Sequence, residues 1–170
     1  MYRLKTTEDL NLVKRRTVMK DYEKLDELIE QVCEEEGVEL DDIFDMPQEN
    51  NSSMIGQFEE KFEVKLPEDF KYFLSKYGSG GLGYFNFFGV ESGKDDINNT
   101  SLGFINNEYR EKGMPNHLVV IEHNGDYVTC IDTSKSEGEI VSWSWLDNDG
   151  IVKYSNTFEM YFIEKLEDCL

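Results

Sequence analysis

Residues 55–81 read IGQFEEKFEVKLPEDFKYFLSKYGSGG, and they decide the fold class. Ile55, Phe58 and Phe62 are spaced three and four apart, which puts them on one face of a helix. The spacing predicts that helix over residues 54–63, with Ser52 or Ser53 as its N-cap. Leu66-Pro67-Glu68-Asp69 opens a second helix. Pro67 suits a first turn, where no N–H partner is needed, and the two acids suit the positive helix end. Phe70, Phe73, Leu74 and Tyr77 follow at i, i+3, i+4 and i+7, and Gly78 stops the helix.

Toward the N-terminus, Tyr22, Leu25, Ile29 and Val32 predict a helix over residues 21–36, with Leu28 alongside and Gly37 as its stop. Residues 38–51 are acidic, contain Pro47, and read as a loop or short turn. Residues 1–18 read as a flexible basic leader ahead of a single domain over 19–170. Toward the C-terminus the period changes. Residues 84–90 read as a strand, and 100–111 as a helix carrying Leu102, Ile105 and Tyr109. Residues 117–122 and 126–132 read as strands joined by Asn124-Gly125, the strongest short hairpin signal. Residues 139–145 and 151–154 read as two more strands, with Asp147-Asn148-Asp149-Gly150 as their turn. Asn156 or Thr157 caps a final helix that turns Phe158, Tyr161, Phe162 and Leu166 inward. The fold class is α+β: N-terminal helices, a mostly antiparallel twisted sheet of about five to six strands, and a C-terminal helix.

The length of 170 residues fits one domain with a real core. A net charge of −19 also occurs in disordered chains, but these lack the 13% aromatic content found here. Residues 1–20 hold six Lys and Arg against Glu8 and Asp9, a net of +4, which leaves −23 on the rest. Such a body repels nucleic acid and attracts a basic partner; acidity also serves solubility alone. No window approaches the roughly 18 apolar residues of a membrane span, and the N-terminus lacks the apolar core of a signal peptide. Asn51-Ser52-Ser53 and Asn99-Thr100-Ser101 are formal glycosylation acceptors that mean little without such a signal. Cys33, Cys130 and Cys169 are far apart and odd in number, as expected of reduced thiols in a cytoplasmic protein.

Catalytic motifs are sparse. Gly78-Ser79-Gly80-Gly81-Leu82-Gly83 spells G-x-G-x-x-G, but it follows a helix and leads into a strand. A phosphate there would meet a negative helix end, so the glycines read as a turn. The Asp147–Gly150 run lacks the carboxylates of a calcium loop, since Trp145 and Asn156 fall at its outer ligand positions. His117 and His123 have no zinc spacing, so no metal site and no cofactor are expected. Cys130, in an apolar strand, reads as packing rather than as a thiol nucleophile helped by His117. Trp143 and Trp145 alternate with Ser142 and Ser144 and so share one side of a strand, as core or as an aromatic platform.

The run 55–81 closely resembles the signature of the SUKH superfamily: an apolar–acidic helix, Leu66-Pro67, an acidic-aromatic helix ending in Phe73-Leu74, and a Tyr77-Gly78 loop. Residues 118–122, Gly125-Asp126-Tyr127 and Ile131-Asp132-Thr133 look like the family's central hairpin. Trp143 or Trp145 resembles its next-strand aromatic, and Thr157-Phe158-Glu159 its last helix start. The leader 1–18 and the acidic stretch 34–45 depart from the pattern. The resemblance implies a fold of helices, twisted sheet and closing helix, and no catalytic residues. It implies an immunity protein that neutralises a cognate polymorphic toxin, a nuclease or nucleic-acid deaminase, in the producing cell's cytoplasm. The alternative is a regulatory adaptor like the eukaryotic branch; an enzyme acting through Cys130 or an acid pair is the third reading. Exposure and charge nominate Tyr84, Glu91, Asp95, Asp96, Asp126, Trp145, Asp147 and Asp149, on an exposed sheet and its loops, as the contacts for a basic toxin domain. Neither nucleic acid nor membrane is an expected partner, and monomer and homodimer both remain open.

Overall fold

A computed structural model describes residues 7–83, 85–90, 101–146 and 150–170, with side chains from residue 22 onward. The predicted helix over 21–36 is the second half of a longer one, α1 (Thr7–Glu36). Leu25, Ile29 and Val32 are its buried stripe, and Tyr22 stacks on Tyr72 at 4.3 Å. Residues 38–51 are more than a loop. They form a one-turn helix α2 (Leu40–Ile43) and a two-residue strand β1 (Phe44–Asp45). Asp42 closes the turn by accepting from the Glu39 N–H at 3.0 Å, and Phe44 anchors the strand by packing against Phe73 and Tyr77.

The helix pair forms as its spacing requires. Helix α3 (Asn51–Phe62) starts three residues early, so Ser52 and Ser53 lie in its first turn and Asn50 is the N-cap. Helix α4 (Glu68–Lys76) is preceded by Pro67 at its N-cap. Glu59 fixes the turn between them: its carboxylate accepts from the Leu66 N–H at 2.8 Å and from Lys65 at 3.2 Å. Asp26 ties α4 to α1 by accepting from the hydroxyls of Tyr72 and Tyr77 and from Lys76. Gly78, at φ 76°, ends α4 where a Cβ would overlap the Asp45 carbonyl. Gly80 likewise lies against the Ile43 carbonyl, so only glycine lets β2 (Ser79–Gly80) pair with β1.

The main sheet holds four strands in the order β3 (Leu118–Asn124), β4 (Tyr127–Asp132), β5 (Glu139–Trp143) and β6 (Val152–Ser155), all antiparallel. That is fewer than the five to six expected. The predicted strand over 84–90 is the missing member. Phe85 and Phe87 point into the core as a strand would place them, but the segment divides its backbone bonds among Gly80, Ile121 and Leu102 and forms only isolated bridges. The outer edge of β3 is shared: Phe88 donates its N–H to the Ile121 carbonyl at 2.8 Å, and at Val120 a side chain takes the place of a strand. Asn106, fully buried on α5 (Leu102–Glu111), accepts from the Val120 N–H at 2.7 Å and donates to the Val120 carbonyl at 3.1 Å. It bonds the edge as a neighbouring strand would, and a buried backbone needs that.

Both sheet faces are covered. Val119, Ile121, Ile131 and Ile140 join the aromatic core beneath α4 and α6 (Phe158–Glu167). Phe73 is its centre, with rings of Phe44, Phe70, Tyr77, Phe87, Phe158 and Phe162 around it. On the other face Val120, Val128, Cys130 and Val141 pack on Ile105 and Tyr109 of α5. Thr157 caps α6 by accepting from the Met160 N–H. Buried Asp69 of α4 also reaches the start of α6, accepting from the Glu159 N–H at 2.8 Å.

Candidate partner-binding surface

With both faces of the sheet covered, the expected exposed sheet is absent for the central strands. What faces outward is the hairpin end of the sheet and the β6 edge. The β3–β4 turn is Gly125-Asp126, one residue later than expected, because Asn124 still pairs with Tyr127. Gly125 takes φ 69° at the first central position, where a two-residue hairpin favours glycine. Asp126 is exposed at the tip, and its carbonyl accepts from the Ser144 hydroxyl at 2.9 Å. Asp126 and Trp145 are thereby brought to one end of the sheet. Tyr84, Glu91, Asp95, Asp96, Asp147 and Asp149, and so most of the Asp147–Gly150 turn, lie outside the described residues.

Strand β5 stops at Trp143, yet both tryptophans remain on one side, as the alternation predicts. Their rings stand 6.1 and 5.6 Å from Tyr109, and both are half-buried. Lys112 lies 5.2 Å from the Trp145 ring, so that ring's outer surface already faces a cation.

On the opposite side of this end stands a residue that the sequence reading passed over. A bulge between Val120 and Glu122 shifts the β3 register and sets Glu122 opposite Thr129, on the same face as Ile121. Glu122 is 2% exposed, and its partners among the described residues are neutral: the Tyr161 hydroxyl donates to it at 2.9 Å, the Asn86 N–H at 3.2 Å and the Asn124 amide at 3.4 Å. Asn124 also donates to Thr129 at 2.7 Å. Burial and the Glu122 carboxylate push the Tyr161 phenol well above its ordinary value, so it stays a donor. The visible signal was a single acid ending the apolar run Leu118–Ile121; the bulge that turns it inward leaves no mark in the sequence.

Two recesses flank this network, and Asn124 lines both. One is a cleft of about 540 Å³ walled by Asp41, Asp42, Asp45 and Glu122, with Gly80, Gly81 and Gly83 contributing backbone. The glycine motif therefore borders a carboxylate-lined cleft, which repels phosphate and favours cations. The other is a hollow of about 270 Å³ between Tyr127, Tyr154 and Tyr161, rimmed by Glu164 and Asp168.

Other candidate chemistry is dispersed. Cys130 has no exposed surface, and burial pushes its thiol far above the usual range, opposite to what a nucleophile needs. His117 lies 4.0 Å from Asp132. Among the described residues no group of three or more His, Cys, Asp and Glu could hold a metal ion, and no helix is long and apolar enough to cross a membrane.

The chain is similar to a crystal structure of a protein from Pseudomonas syringae pv. tomato, with a TM-score of 0.49 and 20% identity over 64% of this chain and 76% of that one. Residues 25–167 match a family model, SUKH_5, described as SMI1-KNR4 cell-wall. That span begins at the buried Leu25 of α1 and takes in the helix pair, the sheet and α6, and over it this chain belongs to the SUKH_5 (SMI1-KNR4 cell-wall) family.

Proposed function

We propose that this protein is an immunity protein of the cytoplasm. It binds a cognate polymorphic toxin, a nuclease or nucleic-acid deaminase domain, and covers the toxin's active cleft with an acidic surface. Membership in the SUKH family is consistent with this reading. The observation that carries it is the acidic end of the molecule, where Asp41, Asp42 and Asp45 line one recess, Glu164 and Asp168 rim another, and Asp126 projects from the hairpin tip. A cleft built to hold nucleic-acid phosphates is basic. Opposite fields speed the encounter and select the partner, and buried contacts then hold the complex. Tyr84, Glu91, Asp95, Asp96, Asp126, Trp145, Asp147 and Asp149, nominated from the sequence, belong to the proposed contact surface.

The test is growth rescue. The C-terminal domain encoded by the neighbouring upstream gene is expressed in a host with and without this protein. Rescue together with a 1:1 purified complex is the expected result. A toxic domain that this protein neither binds nor neutralises would remove the immunity reading for that domain. The regulatory adaptor suggested by the family's cell-wall description would then lead.

A further inference from the structure

The hollow between β4, β6 and α6 has a chemistry of its own. Tyr127, Tyr154 and Tyr161 line an open hollow of about 270 Å³, and Lys165 lines it with them. Aromatic faces carry negative quadrupoles that attract cations. Glu164 and Asp168 stand exposed at the rim, and their carboxylates make no ion pair or side-chain hydrogen bond among the described residues. Behind Tyr161 its hydroxyl is held by the buried Glu122 carboxylate, which fixes the ring and adds negative potential. The chain's own Lys165 leans over the Tyr161 ring at 5.4 Å rather than pairing with either rim acid. A cation therefore already rests on one wall, and two carboxylates remain unmatched.

The same face continues into apolar surface. Val152 pairs with Ser142 in the cross-strand row that contains Thr129 and Glu122, and it is 54% exposed. Ile151, its neighbour in the chain, is exposed as well. Strand β6 is the last of the sheet. An apolar strip beside a cation-seeking hollow suits a protein segment better than a free ion.

We propose that this hollow receives an arginine or lysine side chain of a protein partner lying along β6. The proposal rests on the immunity reading for the partner's identity, not for the chemistry of the pocket. It adds Tyr127, Tyr154, Tyr161, Glu164 and Asp168 to the contact surface.

The probe is acetyl-Gly-Arg-Gly-amide, with the norleucine analogue as neutral control, titrated at low salt into the isotope-labelled full chain and followed by NMR. The expected result is saturable shifts at Tyr127, Thr129, Tyr154, Tyr161 and Glu164 with the arginine peptide alone. The double substitution Glu164→Gln with Asp168→Asn, at exposed positions that leave the fold intact, weakens binding at least fivefold. Tyr154→Ala does the same. Equal shifts with norleucine, no saturable shift, shifts spread over the whole acidic surface, or an unchanged double variant would each overturn the proposal. No toxin enters this experiment, so its failure leaves growth rescue as an independent test. Failed rescue with an intact peptide site would remove the immunity reading alone.

Discussion

Replacing Asn106 by leucine tests whether a side chain stands in for the fifth strand. The amide makes both bonds to Val120 and a third, at 2.9 Å, to the Leu102 carbonyl. Leucine has a similar size and a better helix propensity, but it leaves the Val120 N–H and carbonyl unmatched in a fully buried site. Each such group costs about 1–3 kcal/mol, and about 1–2 kcal/mol returns from the added apolar burial. The central values, about 4 kcal/mol lost and about 1.5 kcal/mol regained, leave a net loss of about 2.5 kcal/mol. With a urea m value of about 2 kcal/mol/M, the midpoint falls by about 1 M. The assay is urea unfolding followed by circular dichroism and by the fluorescence of Trp143 and Trp145. Asn106→Asp adds a second handle. It keeps the acceptor for the Val120 N–H but, when ionised, turns a carboxylate toward two carbonyls. Burial raises the folded pKa of the new carboxyl above its unfolded value. Its contribution is therefore present below the unfolded pKa and is lost as pH rises through the folded one. This variant approaches the parent near pH 4 and falls well below it at pH 8. A leucine variant with an unchanged or higher midpoint, or an aspartate variant with a flat pH response, would refute the strand-substitute role.

Three further outcomes are expected. Phe73→Ala opens a cavity among six aromatic rings and costs about 3–5 kcal/mol by urea unfolding; a loss under about 1 kcal/mol would mean the core is not centred there. Burial raises the Asp69 carboxyl above its ordinary range against the opposing pull of the backbone N–H groups of Glu159 and Phe70. Its contribution to stability is thus full below the unfolded carboxyl pKa and is lost as pH rises through the folded value, so the advantage of the parent over Asp69→Asn shrinks between pH 4 and pH 7, and a growing advantage contradicts this. In native protein at pH 8, Cys130 reacts with iodoacetamide far more slowly than half-exposed Cys169, by mass spectrometry of the alkylated peptides; equal rates would show that β4 opens readily.

The helix pair was legible because its information is local. Phe58, Phe62, Phe70, Phe73 and Tyr77 repeat at helical spacing, and Pro67 and Gly78 mark its boundaries. The β3–β4 hairpin and the α6 cap were readable for the same reason, with a one-residue error at Gly125 because the turn position depends on which residues pair. The candidate surface was less legible. Charge nominated Asp126, and alternation nominated Trp145, but nothing along the chain says that Ser144 joins them. Nor does it mark Tyr127, Tyr154 and Tyr161 as three walls of one hollow.

By itself, the sequence determined the existence and inward faces of α3, α4, α5, α6 and the second half of α1, the antiparallel hairpin and the strongly acidic character of the body. Each follows from neighbours within about one or two turns, or from composition, so no long-range contact has to be known. Only the tertiary structure decided that residues 85–90 are shared among several partners, that Asn106 closes the β3 edge, and that Glu122 turns inward behind Tyr161. The Asn106 and Glu122 outcomes join residues 14 and 39 positions apart, where a polar group's fate rests on which backbone or hydroxyl folding brings beside it. Burial forces each such group to find a partner, and packing alone chooses which.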